Sequence, residues 1–514
     1  MELSAAPAVG YLPLVLITAL GAFLRVYRLD HQSFWMDEVL TILSSHASFA
    51  RILFDPPVDP NVPPLYYLLV RALKGLGDGE TALRFPSVLA GVLSIPIMYS
   101  VAARWLAHSG LLAAFLLAVS PLHVWYSQEA RPYALLILLA LLAVRFLQLS
   151  LASPRSLRSK IGFVVSSVAA FYVHTVAVAF IAAFAFYVLL VVPRPERRSW
   201  LATFAAVALM SVPGVYLLLR VPPTVSANPF YLFSPSHVAY TLWTYATGYS
   251  LGPNLLELRT EGLTVVRRNL VLIVPIMGLY ATLLALGLGR LWRSRRDAAT
   301  ALVVWMTVPI AFVVLGAWLT SHPYNVRYTL LALPPTLMLL ASGIHWLPVR
   351  SLRIGAAILV VTCSAASLWN YYTDPRYYRE DNRGAAAFIQ AGSEPRELVI
   401  ASAPYTIVPL DHYLGRTPLE LVGYPTAATA GAPERGRSLG AMFVHPERVA
   451  EDFRRLLGNR RTFWLFLSRT FHSDPEGHLR SYMDQHYRRI TEYSGPGVEA
   501  IRYERPEPGA LTVP

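Results

Sequence analysis

The sequence holds one cysteine, Cys363, in 514 residues. That excludes an intramolecular disulfide and any cysteine-rich metal site. Charged residues make up only 15%, against about 25% in soluble proteins. This shortage excludes an ordinary soluble enzyme, a disordered tail protein and a coiled coil. Lysine is nearly missing, with Lys74 and Lys160 the only two. No glycine-rich phosphate loop of the Walker type occurs, so an ATP-driven pump is not expected. No internal repeat is visible either.

What is abundant is apolar: 55% of residues are hydrophobic and mean hydropathy is +0.44. A hydrocarbon core of about 30 Å takes about 20 mainly apolar residues per helix. Eleven segments meet this: 10–27, 82–103, 109–126, 132–149, 161–175, 176–192, 200–219, 269–289, 298–319, 328–347 and 352–371. The fifth and sixth form one apolar stretch too long for a single span, broken around Tyr172-Val173-His174-Thr175. The first segment reads as a retained helix rather than a cleaved signal. Its leading MELSAAPAV lacks a positive region, and no small-residue cleavage site follows before Arg25.

A net charge of +13 invites a nucleic-acid partner, but its placement argues against one. Residues 372–514 hold 18 Arg and 18 Asp plus Glu, so the excess lies wholly in the apolar part. With the N-terminus inside, the inner loops carry fourteen basic residues against three acidic ones. By the positive-inside rule this is a topology signal. The expectation is a bacterial inner (plasma) membrane protein with a cytoplasmic N-terminus and an extracytoplasmic C-terminus. Residues 1–371 are the membrane domain, with outer loops 28–80 and 220–268.

Residues 372–514 are expected to form a small extracytoplasmic α/β domain. Helices are expected at 381–392, ending in a glycine, and at 446–458, opened by Pro446 and closed by Gly458. Leu398–Ala401 and Thr462–Leu467 read as buried strands. Residues 422–440 read as a loop, and the closing RPEPGALTVP as frayed.

The unusual charges gather at the outer ends of the spans. Asp37 and Glu38 follow the first span beside Phe34 and Trp35. Acids at a membrane surface titrate in a desolvated setting, though such a pair also suits a helix N-terminus. Residues 65–74 form a helix after Pro63-Pro64, with Arg71 and Lys74 three residues apart. It either lies in the interface, near lipid headgroups, or packs within the loop. Arg84 opens the second span. Ser127-Gln128-Glu129-Ala130-Arg131-Pro132-Tyr133 joins the third and fourth, and Glu129 and Arg131 could simply pair. His174 ends the fifth span, as a packed ring or a ligand-binding one. Asn325-Val326-Arg327-Tyr328 opens the tenth. Charges at this depth are functional candidates by default.

Guanidinium forks suit phosphate oxygens. A carboxylate beside them could take the proton of an acceptor hydroxyl, while the cations stabilise a departing phosphate. No soluble nucleotide-sugar is available outside a cell, so the donor is expected to be lipid-linked. No strong metal cluster is readable, and a divalent metal requirement stays open.

Trp35-Met36-Asp37-Glu38, Pro63-Pro64-Leu65-Tyr66-Tyr67, Leu83-Arg84-Phe85-Pro86-Ser87, Ser127-Gln128-Glu129-Ala130-Arg131-Pro132-Tyr133 and Arg327-Tyr328 occur in this order. Over residues 10 to about 350 the chain resembles bacterial members of the GT-C superfamily, near protein O-mannosyltransferases and lipid A aminoarabinose transferases. The resemblance implies a polytopic α-helical transferase that uses a polyprenyl-phosphate sugar and inverts the anomeric centre. It implies Asp37 as general base, with Glu38 supporting it or binding the acceptor. It places Arg84, Arg131 and Arg327 near the carrier phosphate; the residues themselves add Lys74, Gln128, Glu129, Tyr133, His174 and Tyr328 as candidates for binding the lipid phosphate or substrate. The chain departs from its relatives at Val62, where they often carry His, so no role of that His carries over. The acceptor, whether protein, lipid or glycan, and the sugar are not readable. A transporter or flippase of lipid-linked substrates is the alternative, and it predicts internal repeats and broken helices at mid-bilayer. A sensor of cell-wall ligands would leave the outer acids and arginines unexplained.

Overall fold

The computed structural model describes residues 11–59, 61–221, 234–320, 324–425 and 443–506. They divide into two compact units. One holds 11–29 and the described residues of 41–373; the other holds 30–40 and those of 374–506.

The first unit is helical throughout, and a helix falls on each of the eleven apolar segments. Seven of these helices are long and apolar enough to cross a membrane alone, or eight with one bent pair. The expected third span is that pair, Gly110–Val119 and Pro121–Ser127, bent by 58°. Pro121 has no N–H to donate to the Leu117 carbonyl, so the ladder breaks there. Arg25, buried at the end of the helix Tyr11–Val26, answers the freed groups. Its guanidinium donates to the carbonyls of Leu117 and Ala118, at 3.2 and 3.0 Å. In an apolar setting an unanswered carbonyl costs several kcal/mol, which gives a buried arginine a structural reason to be there. Gln128 does the same for the other partner. Its amide donates to the carbonyls of Arg25 and Tyr27 at the end of that first helix, at 3.1 and 2.9 Å.

The fifth and sixth apolar segments are separate helices, Leu157–Val173 and Ala177–Val191. The break at His174–Val176 is tied to the first loop, since the Thr175 amide donates to the Asn61 carbonyl at 3.0 Å. The tenth segment begins as a 3-10 helix, Val326–Ala332, and turns α-helical at Leu333–His345. Pro334 and Pro335 remove two amides that an α-helix would aim at the preceding turn.

The second unit carries a five-stranded sheet in the order β2-β1-β3-β5-β4. Its strands are β1 (Leu398–Ser402), β2 (Glu420–Tyr424), β3 (Thr462–Ser468), β4 (Arg488–Gly495) and β5 (Val498–Glu504). β1 runs parallel to β2 and β3, while β5 is antiparallel to β3 and β4. Both faces are covered. Leu398 and Ile400 pack with Val449, Phe453 and Leu457 of the helix Pro446–Leu457. Val399 and Ala401 pack with Ala385, Ala386 and Ile389 of the helix Asn382–Gly392. Burial on both faces explains why β1 and β3 read as unbroken apolar runs.

The expectation of a loop over 422–440 is corrected at its start, because Val422–Tyr424 belong to β2. The remainder, 426–440, lies outside the described residues, as does most of the closing decapeptide.

Candidate active site

In the helical unit the site begins with a carboxylate that the sequence reading did not single out. Asp59 lies in the first loop, where its Oδ1 accepts the Asn61 amide at 2.9 Å in an Asx-type turn. Its Oδ2 accepts from Arg131 at 2.7 Å. Arg131 is 1% exposed and sits in the short connection before the helix Tyr133–Ala152. Burial alone would raise the Asp59 carboxyl. The charge and hydrogen bond of Arg131, the Asn61 amide and the charge of Arg327 outweigh it and hold the group at about 2.

Aromatic groups close around this ion pair. The Arg131 guanidinium lies 5.9 Å from the Tyr133 ring centre, and that of Arg327 lies 5.3 Å from the Tyr328 ring. The His174 ring is 5.4 Å from Tyr133 and 5.7 Å from Tyr328. Asn61 donates to the Tyr328 hydroxyl at 3.4 Å. The Val176 amide donates to His174 Nδ1 at 3.2 Å, so Nδ1 is the acceptor and a neutral ring carries its proton on Nε2. That Nε2 and the Tyr133 hydroxyl are both buried without a hydrogen-bond partner among the described residues. Two guanidinium groups, one carboxylate and two donors without a partner among the described residues form a cluster with a net positive charge, suited to an anion.

Asp37 and Glu38 open the helix Met36–His46 and belong to the other unit. There Glu38 is fully buried and meets Arg379 at 3.5 Å. Arg379 and Arg469 both bear on the Trp35 ring, at 5.9 and 5.4 Å. Arg469 is held by Glu380 at 2.5 Å. Burial would raise the Glu380 carboxyl, yet Arg469 pulls it below its usual range. Around them the segment 30–40 is laced to the tail. Ser33 donates to the Glu380 carbonyl at 2.7 Å, the Phe34 amide to the Tyr413 hydroxyl at 2.6 Å, and Asn382 to the Phe34 carbonyl at 3.1 Å.

Thus the structure gathers Arg131, Tyr133, His174, Arg327 and Tyr328 from the sequence reading, and adds Asp59 and Asn61. It gives the acid pair two neighbours, Arg379 and Arg469, that sequence reasoning missed. Arg84 is buried and donates to the Leu29 carbonyl at 2.7 Å. Glu129 accepts from the Trp125 indole at 2.9 Å. Gln128 caps the first helix as described above, and Lys74 is exposed beyond the helix Leu65–Ala72. In the helical unit the Thr41 hydroxyl accepts from Arg131 at 3.4 Å. Among the described residues no three of His, Cys, Asp and Glu gather as a metal site.

The family model for dolichyl-phosphate-mannose-protein mannosyltransferases matches residues 61–221. Among solved structures the chain is similar to ArnT from Cupriavidus metallidurans in its apo state. That match has a TM-score of 0.58 and 14% identity over 95% of this chain and 97% of that one. The same protein bound to undecaprenyl phosphate matches with a TM-score of 0.56 and 16% identity, over 98% of this chain and 100% of that one. The archaeal oligosaccharyltransferase AglB from Archaeoglobus fulgidus, in complex with an inhibitory peptide and a dolichol-phosphate, matches at 0.52 and 14%, over 96% of this chain and 74% of that one. A comparison with curated protein sequences gave no match.

Proposed function

We propose that this chain, whose residues 61–221 match the mannosyltransferase family model and whose fold is similar to that of ArnT, is a GT-C-type integral membrane glycosyltransferase. It moves a sugar from a polyprenyl-phosphate carrier to an acceptor hydroxyl on the extracytoplasmic face. One observation supports this most. The Tyr133 hydroxyl and the His174 Nε2 are buried without hydrogen-bond partners among the described residues, beside Arg131 and its Asp59. Spare donors next to guanidinium groups suit the oxygens of a phosphate. The relatives with bound carrier lipids hold undecaprenyl phosphate or a dolichol-phosphate, which is the same chemistry.

In this reading Arg131 and Arg327 hold the carrier phosphate, with Tyr133, His174 and Tyr328 around it. The acceptor oxygen attacks the anomeric carbon, and the bond from that carbon to the phosphate oxygen breaks. The electron pair leaves with the phosphate, where the growing negative charge meets the arginines. Stabilisation that strengthens as the charge develops is what accelerates the step. Asp37 takes the acceptor proton as general base, and Glu38 supports it. A single displacement inverts the anomeric centre. Arg84 and Lys74 attract the phosphate, while Gln128 and Glu129 fix the connection that carries Arg131. The site faces outward in a bacterial plasma membrane, with the N-terminus in the cytoplasm.

Purified protein in lipid nanodiscs, given a panel of polyprenyl-phosphate monosaccharides, tests this. Release of free polyprenyl phosphate together with a glycosylated acceptor is expected. Movement of intact donor across a vesicle membrane, without sugar release, would make the protein a transporter instead.

A further inference from the structure

The unit built from residues 30–40 and the tail places two arginines on the Trp35-Met36-Asp37-Glu38 motif. Arg379 lies between the turn Pro375–Tyr377 and the helix Asn382–Gly392. It is 7% exposed and meets Glu38, which is fully buried, at 3.5 Å. Arg469 follows β3 directly and adopts a left-handed backbone with φ 52. L residues other than glycine take that conformation at a cost, and it persists where surrounding contacts fix it. Here the Glu380 carboxylate at 2.5 Å and the Trp35 ring at 5.4 Å do so. Ala403, directly after the neighbouring parallel strand β1, is left-handed as well, at φ 63. The chain therefore turns sharply after both parallel strands, and the turn after β3 carries Arg469 to the Trp35 ring.

We propose that Arg379 and Arg469 are positioning residues for the acidic pair. Arg379 keeps Glu38 as a fixed carboxylate. Arg469, aimed by Glu380 and stacked on Trp35, sets the positive field in which Asp37 works as base. The tail is then part of the catalytic apparatus rather than an appendage, although neither arginine touches the substrate. This inference rests on the transferase reading above.

The electrostatics agree with the geometry. Burial would lower the Arg469 guanidinium, but Glu380, Tyr405 and Asp37 together raise it above its ordinary value. The attraction is reciprocal, so the Arg469 charge favours ionised Asp37. Among the described groups of this unit, Arg469 acts on Asp37 directly, Glu380 and Tyr405 act on Arg469, and Arg379 meets Glu38 on the same helix. Tyr405 in turn bonds His472 Nδ1 at 2.6 Å.

The test compares full-length R379Q, R379K, R469Q and R469K with the unmodified protein in nanodiscs, after melting curves establish that each folds. R469Q is expected to lower kcat about 10²-fold, the lower range for loss of a general base. KM for the lipid donor stays unchanged, and the acid limb of the kcat/KM profile moves to higher pH. R469K restores the limb because the charge returns. R379Q lowers kcat with the same unchanged KM, and R379K recovers part of it. If a Gln variant does not fold, the corresponding Met variant, which also removes the charge, carries the test, through the pH limb for R469M and kcat for R379M. Wild-type kcat and pH limb in the Gln variants would overturn the inference while leaving the transferase reading standing. So would a raised KM with kcat intact, which marks direct binding. An unmodified protein that transfers no sugar overturns the reading itself, and this inference with it.

Discussion

At the scale of the residue, the pair of Asp59 and Arg131 makes stability depend on pH. Folding takes the Asp59 carboxyl from 3.8 down to about 2. A depressed carboxylate stabilises the fold above its unfolded value, and that contribution fades as the pH falls through the folded one. The window is therefore from about pH 4 to about pH 2, and the contribution is about 2 kcal/mol. Asp59→Asn is expected to remove this acid dependence. It also leaves Arg131 a buried cation without its carboxylate, at a cost of roughly 3–5 kcal/mol. Melting in detergent at pH 7 and pH 3 checks both, and an unchanged pH dependence would count against the pair. Arg131, Arg327, Tyr133 and His174 were readable from sequence because each ends or opens an apolar span. Asp59 was not, since its partner lies 72 residues away and its own surroundings, Val58 and Pro60, read only as a loop. Arg379 and Arg469 were hidden for a similar reason, among the many arginines of a charge-balanced tail.

At the scale of the element, the helices Leu270–Ser294 and Leu333–His345 meet backbone to backbone. A Cβ added at Gly343 would lie 1.9 Å from the Leu283 carbonyl oxygen, and one at Gly287 would lie 2.1 Å from that of Leu339. Small residues let membrane helices approach this closely. Gly343→Ala is expected to push the pair apart, lower the melting temperature and reduce transfer, because the second helix continues the segment that carries Arg327. An unaltered melting curve would contradict that. Elements with strong patterns were visible in advance. The apolar spans were, and so were the helix Pro446–Leu457 with its proline and glycine ends and the doubly buried strands β1 and β3. The strands β2 and β4 were not, because they sit at the sheet edges. There, residues such as Arg488, Arg489 and Glu420 face solvent and no apolar alternation survives. The bend at Pro121 was likewise unread, since its cause is a single missing amide inside an otherwise apolar run.

At the scale of the whole molecule, the proposed topology reads the +13 charge chiefly as a signal of sidedness. Fourteen basic residues fall in the loops assigned to the cytoplasm, while residues 372–514 balance to zero. A chain with Cys363→Ser and either Arg293→Cys or Glu476→Cys tests the assignment. Glu476 is 76% exposed, so its cysteine is accessible to reagent. An impermeant thiol reagent on spheroplasts is expected to label position 476 and spare 293, and the reverse pattern would invert the topology. The central claim, however, is chemical: sugar leaves a polyprenyl phosphate for an acceptor whose proton Asp37 takes. It is tested most directly by comparing sugar transfer from polyprenyl-phosphate donors by the unmodified protein and by Asp37→Asn, with carrier binding measured alongside. The account expects kcat to fall about 10²–10⁴-fold while the variant still binds polyprenyl phosphate. Transfer by Asp37→Asn at the unmodified rate would contradict it.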